Sequence, residues 1–197
     1  LLVEAYLDRI SAYDEVYQAF NLVLADEALE MARKANKRPP RSPLHGIPLA
    51  IKDNYFTAGI PTTANSFIFE DFVPPYDATA VRRLKAAGAI VLGKTQMGPL
   101  ATTRATTPDG QITTVNAWTP TDPSINPGGS STGSATAVAA RMATSSIGTQ
   151  TGGSITAPSN AQNLTGLKPT FGRVSLYGIV PLTYSRDHPG PLARDVK

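Results

Sequence analysis

Apolar residues near the N-terminus recur at the three- and four-residue spacing of a helix. The residues that follow this spacing are Leu1, Leu2, Ala5, Leu7 and Ile10. A second helix is predicted over residues 25–37, which are rich in Ala, Glu, Leu and Lys and carry cations in the last turns, where the helix dipole favours them. The prolines of residues 37–43 interrupt this pattern. We therefore expect residues 1–43 to form a helical lead-in to the rest of the chain.

A buried strand or turn and then a helix are predicted after this lead-in. The strand or turn lies within residues 44–54, although Pro48 argues against a central position in a sheet because proline has no N–H to donate. The clearest helix is predicted over residues 77–87, with Asp77 as its N-cap and Gly88 just beyond its end.

Strands and helices continue to alternate through the second half. The apolar run 89–92 predicts a short strand closed by Gly93, and residues 106–127, with four prolines, predict a long loop. Residues 134–142 predict a helix of small residues suited to close packing, and residues 145–149 predict another strand. This alternation predicts an α/β fold with parallel neighbouring strands.

Composition narrows the class of protein. Of the 197 residues, 41% are hydrophobic and 17% are charged, which is typical of a globular chain. The net charge is only +3, and no basic run is interleaved with aromatic residues, so we expect no nucleic-acid partner. The absence of cysteine excludes disulfides, thiolate zinc sites and a cysteine nucleophile. No apolar run approaches the roughly 20 residues of a membrane span, so no membrane association is expected.

The expected location is cytoplasmic. The sequence begins at Leu1 rather than at Met, so we expect the natural N-terminus to lie outside it, and a removed signal peptide is compatible with this start. We expect neither a metal nor a cofactor.

Two glycine-flanked loops carry the hydroxyl groups of greatest interest. One is Gly-Gly-Ser-Ser-Thr-Gly-Ser at residues 128–134, and the other is Thr-Gly-Gly-Ser-Ile at residues 151–155. Glycine lets the backbone turn tightly and leaves N–H groups free, and converging N–H groups can stabilise an oxyanion while a nearby hydroxyl attacks a carbonyl. The two loops together indicate acyl transfer.

Ser154 is the candidate nucleophile. The N–H groups that can converge beside it belong to Thr151, Gly152, Gly153 and Ser154 itself. A helix starting within residues 155–160 would add its positive dipole at the same place. The alternative interpretation is a glycine-rich turn with a capping serine.

The other loop places Ser130 and Ser131 directly after Gly128 and Gly129. One alternative is an N-cap for a helix that starts near Thr132. A phosphate cradle is the other alternative, but the Gly-Lys-Ser/Thr ending of a Walker loop is missing.

Lys52 is the candidate base. The apolar residues 49–51 before it should desolvate its ammonium and lower its pKa, so that the neutral amine can activate a serine without a histidine. A salt bridge to Asp53 or a solvated strand end is the alternative. The only histidines, His45 and His188, lie among prolines and glycines, and we interpret both as loop residues rather than members of a Ser–His–acid triad.

Together these segments resemble the amidase signature family. The resemblance covers nearly the whole chain and is carried by residues 46–54, 77–84, 87–95, 127–134, 148–158 and 166–178. It implies an α/β/α sandwich around a mixed sheet, incomplete at the C-terminus. It also implies a single domain over residues 1–197, with residues 44–197 as the catalytic core segment.

The resemblance implies a role for each candidate. Ser154 would be the nucleophile, Ser130 the bridging serine on a cis peptide bond after Gly129, and Lys52 the base. The residues implied at the oxyanion and the substrate are Thr151, Gly152, Gly153 and Ser131.

The chain departs from the family pattern in three positions and in length. Gln150 and Thr156 stand where the family usually has Asp and Arg, and we expect them to form a neutral pair flanking the nucleophile loop. Thr132 stands where Gly is usual. Family members run to several hundred residues, so we expect this chain to be their N-terminal, triad-bearing portion.

The sequence therefore predicts a hydrolase that cleaves a carboxylic amide C–N bond of a small molecule through an acyl-enzyme. The alternatives are an A-type subunit of a tRNA-dependent amidotransferase, which releases ammonia from glutamine with a partner, an esterase, and an inactive amidase fragment. The departures at Gln150 and Thr156 favour the stand-alone hydrolase. We also expect either a homo-oligomer or association with the missing C-terminal part.

Overall fold

The computed structural model describes residues 2–196, so the predicted helical position of Leu1 lies outside the described residues. The helices are α1 Leu2–Tyr17, α2 Ala25–Asn36, α3 Thr79–Ala86, α4 Thr132–Ala139 and α5 Thr156–Ala161. The strands are β1 Phe20–Val23, β2 Pro48–Lys52, β3 Ile90–Thr95, β4 Ser145–Gln150, β5 Thr165–Gly166 and β6 His188–Ala193. Short 3-10 turns occur at Phe67–Phe69 and Pro99–Ala101.

The six strands form one mixed sheet in the order β1-β3-β2-β4-β6-β5. β2 lies parallel to both β3 and β4, while β1, β6 and β5 pair with their neighbours in antiparallel fashion. Because β2 and β4 are parallel neighbours, Lys52 at the end of one and Gln150 at the end of the other reach the same edge of the sheet. That edge is where α/β sheets commonly bind ligands.

Pro48 does not keep β2 from the middle of the sheet, and this expectation was wrong. β2 has a partner on each side. Pro48 is the first residue of the strand, and a proline at a strand start removes only one terminal donor.

Helices cover both faces of the sheet, which gives the expected α/β/α layers. One apolar cluster joins α1, α2 and α4 to Ala50, Ile90 and Leu92 of the strands. The cluster on the other face joins Val81 of α3 to strand residues that include Ile51. The alternation of side chains along β2 therefore places Lys52 on the α4 face, with Ala50.

A bulge in the pairing of β2 with β3 changes which face the later residues of β3 occupy. Leu49 pairs with Val91, but Ala50 pairs with Gly93 and Ile51 with Lys94. Gly93 does not close the strand as predicted, because β3 continues to Thr95. A Cβ on Gly93 would lie 2.3 Å from the Leu22 carbonyl oxygen, so glycine is what allows β1 to approach here.

The other predicted elements exist, with shifted ends. α1 runs seven residues beyond Ile10, and residues 106–127 form the long loop, with one isolated bridge between Thr106 and Ile112. Asp77 does not cap α3. Its carboxylate instead accepts from the Ala58 N–H and from Lys85 Nζ, and Ala78 occupies the N-cap position.

Candidate functional site

Lys52 lies at the centre of a cluster of hydroxyl groups at the carboxyl end of β2. Its Nζ is 2.8 Å from Ser130 Oγ and 2.9 Å from Ser131 Oγ. Thr149 completes the set, with its Oγ1 at 3.0 Å and its carbonyl oxygen at 3.3 Å. Lys52 is fully buried, and none of the described carboxylates lies within ion-pair distance of it.

Burial changes the proton affinity of this lysine. Loss of hydration lowers the pKa of Lys52 to about 7, and only the more distant charge of Asp187 opposes this fall. The alternative of a salt bridge to Asp53 is wrong, because Asp53 pairs with Lys94 at 2.9 Å. A lysine with this pKa exists in both protonation states near neutrality, as a base must.

The loop before α4 brings Ser130 to this lysine. The Gly129–Ser130 peptide bond is cis, as predicted, and the Ser130 carbonyl accepts from the Gly98 N–H at 3.1 Å. Gly129 has no room for a side chain, because a Cβ would lie 2.5 Å from the Thr103 carbonyl oxygen. Glycine at this position therefore permits the close approach of the two loops.

Ser131 and Thr132 begin α4 without a side-chain cap. Ser131 is the N-cap residue, yet its hydroxyl contacts Lys52 and donates to the Thr149 carbonyl at 3.2 Å. Thr132, at the position where glycine is usual, donates to the Gly128 carbonyl at 2.9 Å and accepts from the Ala105 N–H at 2.8 Å. The extra hydroxyl thus ties two loops together.

Ser154 follows β4 and lies beside the first loop. Its carbonyl accepts from the Ser131 N–H at 3.2 Å, so the two serine loops are in direct contact. Ser154 is partly exposed, and within residues 2–196 its hydroxyl has no hydrogen bond to Ser130 or to any other group. The structure therefore joins Lys52, Ser130 and Ser131 directly and places Ser154 next to them.

The loop around Ser154 offers free backbone donors. No group among the described residues accepts the N–H groups of Gly152, Gly153 or Ser154. A Cβ on Gly152 would meet no atom within 4 Å, so open space lies against this part of the loop. Three uncommitted N–H groups beside open space suit a developing negative charge.

Gln150 holds this loop from the other side. Its Oε1 accepts from the N–H groups of Ile155 and Thr156, each at 2.8 Å, and from the Thr156 hydroxyl at 3.1 Å. The side chain thereby satisfies donors at the start of α5. The predicted neutral pair of Gln150 and Thr156 is confirmed as a contact.

Two residues of the site were missed by the sequence analysis. Thr149 contacts Lys52 through two oxygens, and its hydroxyl also accepts from Asn54 Nδ2 at 3.0 Å. Asp187 is buried and accepts a hydrogen bond from the Thr151 hydroxyl. Neither lies in a loop whose composition indicates chemistry, and Asp187 is 36 positions from Thr151, so only the pairing of β4 with β6 brings them together.

Neither histidine is hydrogen-bonded to Lys52, Ser130 or Ser131. His45 is in a turn, where its Nε2 lies 3.1 Å from the Ala35 carbonyl. His188 is not a loop residue, because it begins β6 opposite Gln150 and packs edge-on against Phe171. Within residues 2–196, no group of three or more His, Asp or Glu residues could hold a metal ion, and no helix is long and apolar enough to cross a membrane.

Comparisons with known proteins show which fold and family the chain shares. The chain is 48% identical over 199 aligned positions to the A subunit of the glutamyl-tRNA(Gln) amidotransferase of Anaeromyxobacter sp. (strain K), an alignment that covers 99% of this chain and 40% of that protein. It is 41% identical to the native peptide amidase of Stenotrophomonas maltophilia, with a TM-score of 0.87 over 98% of this chain and 41% of that one. The solved structure of the glutamyl-tRNA(Gln) amidotransferase A subunit from Thermotoga maritima gives 35% identity and a TM-score of 0.81, covering 98% and 40%.

The chain thus spans about two fifths of the length of the relatives it matches. The protein-family model described as "Amidase" matches residues 1–197. The chain belongs to the amidase family.

Proposed function

We propose that the protein containing this chain hydrolyses a carboxylic amide of a small molecule through an acyl-enzyme on Ser154. The observation that carries the proposal is the buried Lys52 amine, which contacts Ser130 at 2.8 Å and has no carboxylate in contact among the described residues. A neutral amine in this position can take a proton from Ser130, and Ser130 can take one from Ser154.

The proposed reaction uses this relay twice. Ser154 attacks the amide carbon while its proton passes through Ser130 to Lys52, and the N–H groups of Gly152, Gly153 and Ser154 stabilise the oxyanion. The relay then returns the proton to the leaving amine. Water next attacks the acyl-enzyme by the same route and releases the acid.

A covalent probe tests the nucleophile. A fluorophosphonate or sulfonyl fluoride should label the full-length protein at Ser154, and Ser154→Ala should abolish the label. Ser185→Ala, which removes an exposed hydroxyl outside the site, is the matched control and should label normally. Unchanged labelling of Ser154→Ala would refute the assignment.

Ser130→Ala tests the relay separately. The variant keeps the nucleophile but breaks the path to Lys52, so labelling should slow by roughly 10²–10⁴-fold, the usual contribution of general acid–base catalysis. A normal rate would show that Ser154 loses its proton by another path.

Ammonia release from glutamine with a partner is the second candidate. The observation that favours it is the 48% identity to a protein named as the A subunit of a glutamyl-tRNA(Gln) amidotransferase. Gln150 and Thr156 depart from the family pattern, and this departure is the sequence-based reason to prefer the stand-alone amidase. Assaying glutamine and simple aliphatic and aryl amides, with and without the other amidotransferase subunits, separates the two. Glutamine hydrolysis that requires those subunits would select the second candidate.

A further inference from the structure

Asp187 occupies the point where the sheet gives way to the Ser154 loop. The last register pair of β4 and β6 joins Gln150 to His188. Thr151 directly follows the end of β4, and Asp187 directly precedes the start of β6. The Thr151 hydroxyl donates to Asp187 Oδ1. The carboxylate therefore continues the ladder by a side-chain contact after the backbone pairing has ended.

The second oxygen of Asp187 closes a turn of the chain. Oδ2 accepts from the N–H groups of Leu182 at 2.9 Å and Thr183 at 3.0 Å, while the Asp187 N–H donates to the Thr183 carbonyl at 2.9 Å. Asp187 is only 4% exposed. All three donors to the carboxylate are neutral, and no cation of the described residues is in ion-pair contact with it.

Burying a carboxylate costs free energy, and at Asp187 three neutral hydrogen-bond donors offset that cost in place of a cation. Lys52 Nζ contacts both oxygens of Thr149, and Asp187 contacts Thr151 only two residues further along the chain. From this position the negative charge of Asp187 favours the charged form of Lys52 and opposes the fall in its pKa. The other ionisable groups around Lys52 have partners of their own. Asp53 and Lys94 form an ion pair at 2.9 Å, and the Tyr55 hydroxyl donates to the Gly148 carbonyl at 2.6 Å.

The remaining neighbours of Lys52 leave Asp187 as the relevant charge. His188 Nδ1 lies 3.4 Å from the Gln150 carbonyl oxygen. Neither α4 nor β4 contains an acidic or basic residue.

We propose that Asp187 is a positioning residue for the proposed amide hydrolysis, which holds Thr151 at the start of the oxyanion loop and stabilises the ammonium that Lys52 becomes during attack. The inference rests on the proposed function. As the bond from Ser154 Oγ to the carbonyl carbon forms, the carbonyl π pair moves to oxygen and the Ser154 O–H bond breaks. The proton passes through Ser130 to the Lys52 nitrogen. The step thus creates a positive charge, which Asp187 stabilises, and a negative charge, which the loop N–H groups stabilise.

Two variants separate the charge of Asp187 from its hydrogen bonds. Asp187→Asn removes the charge, but its carbonyl oxygen can still accept from Leu182 and Thr183 while its amide donates to the Thr151 oxygen. Thr151→Val removes the hydrogen bond between the Ser154 loop and Asp187 but keeps the negative charge of Asp187. If Asp187→Asn does not fold in the full-length protein, Asp187→Ser replaces it.

The measurement is the pH dependence of kcat/KM for the full-length protein. Without the negative charge, the Lys52 ammonium is less stable, so Asp187→Asn should move the acid limb to lower pH by about one unit, which is a roughly tenfold change in the ratio of neutral to charged lysine. Thr151→Val should lower kcat and leave the midpoint where it is. An unmoved midpoint in Asp187→Asn, or an equal shift in Thr151→Val, would overturn the proposal.

A direct titration keeps this test independent of turnover. Lysine-labelled Ser154→Ala protein, with and without Asp187→Asn, is titrated by NMR, and the pKa of Lys52 should be lower in the double variant. Equal pKa values would overturn the role of Asp187. If the wild-type protein cleaves no amide and accepts no probe, the proposed function fails, while the NMR comparison still decides whether Asp187 acts on Lys52.

Discussion

At the scale of single residues, the site depends on the buried amine of Lys52, which contacts hydroxyl and carbonyl oxygens rather than a carboxylate. Lys52 and Lys94 are both buried, but only Lys94 has a carboxylate in contact, at 2.9 Å. Lys94 therefore resembles a structural cation, whereas Lys52 contacts only hydroxyl and carbonyl oxygens. The same residue type takes two roles because the neighbours differ.

The activity should depend on the neutral form of Lys52. Because the pKa of Lys52 is lowered to about 7, kcat/KM should rise with pH below neutrality and level off above it, as the ammonium loses its proton. A pH–rate profile of the full-length protein measures this.

Variants identify the base behind that profile. Lys52→Ala should lose most of kcat, while His45→Ala and His188→Ala should retain it apart from effects on stability. An inactive but folded histidine variant, together with an active Lys52→Ala, would replace the proposed mechanism by a histidine-based triad.

Two glycines of the site should respond differently to alanine. In Gly129→Ala the new Cβ would lie 2.5 Å from the Thr103 carbonyl oxygen and 2.6 Å from the Arg104 Cα, which should cost about 1–3 kcal/mol of stability and displace Ser130. In Gly152→Ala the methyl group enters open space, so the unfolding free energy should stay within about 0.5 kcal/mol.

The activity of Gly152→Ala tests whether this open space holds the substrate. Gly152→Ala keeps the backbone N–H but places a methyl group in the space where the bound substrate is proposed to lie, so it should lower kcat/KM while the protein keeps its melting temperature. Full activity of Gly152→Ala would place the substrate elsewhere.

At the scale of elements, the nucleophile loop is held between the end of β4 and the start of α5. α5 has only six residues, and its N-cap residue Ile155 offers no side-chain acceptor. Gln150 reaches across from β4 and supplies that acceptor for two backbone donors. The loop geometry therefore depends on a side chain that belongs to the preceding strand.

Removing this acceptor should loosen the loop. Gln150→Ala leaves the Ile155 and Thr156 N–H groups without their acceptor, and the loss of a helix cap costs about 1 kcal/mol, so stability and the labelling rate of Ser154 should both fall. Thr156→Val, which removes one hydroxyl donor, should cost less, and Gln150→Glu should retain the cap. Chemical denaturation and probe kinetics measure these effects, and equal losses in Gln150→Ala and Thr156→Val would contradict the account.

At the scale of the whole molecule, a buried ion pair joins β3 to the residue that follows β2, the strand that carries Lys52. Lys94 of β3 contacts Asp53, the residue after β2, and also donates to the Thr62 hydroxyl at 2.8 Å. Asp53 in turn accepts from the Thr63 N–H at 3.0 Å. The pair anchors the loop after β2 to the sheet, and with it the end of the strand that carries Lys52.

Replacing only one partner of this ion pair should strongly lower the free energy of unfolding. Asp53→Asn or Lys94→Met leaves a buried group without its partner, which costs about 3–5 kcal/mol, and the double variant should lose less than the sum. Lys85→Met is the matched control, because Lys85 pairs with Asp77 at 2.8 Å with more exposure and should cost below about 1 kcal/mol. Denaturant unfolding of the wild-type protein and the four variants gives the comparison, and additive single losses would show that the pair is not coupled.

Local chemistry made the elements and the candidate residues predictable from the sequence. Composition and the position of the cations predicted α2 to within a residue, and the strand predicted at residues 145–149 matches β4. The contrast between the apolar residues 49–51 and Lys52 predicted a buried amine with a lowered pKa. The resemblance added the cis bond before Ser130. The chemical roles of Lys52, Ser130 and Ser154 remain predictions.

Only the tertiary structure decided which distant groups meet. The place of β2 between β3 and β4 depends on pairing across the chain, the bulge at Gly93 sets the face of Lys94, and β6 brings Asp187 to Thr151. None of these contacts leaves a local signal, because each is set by strand register rather than by neighbouring residues. The sequence by itself determined which groups could react, and the pairing of strands determined which of them share one buried site.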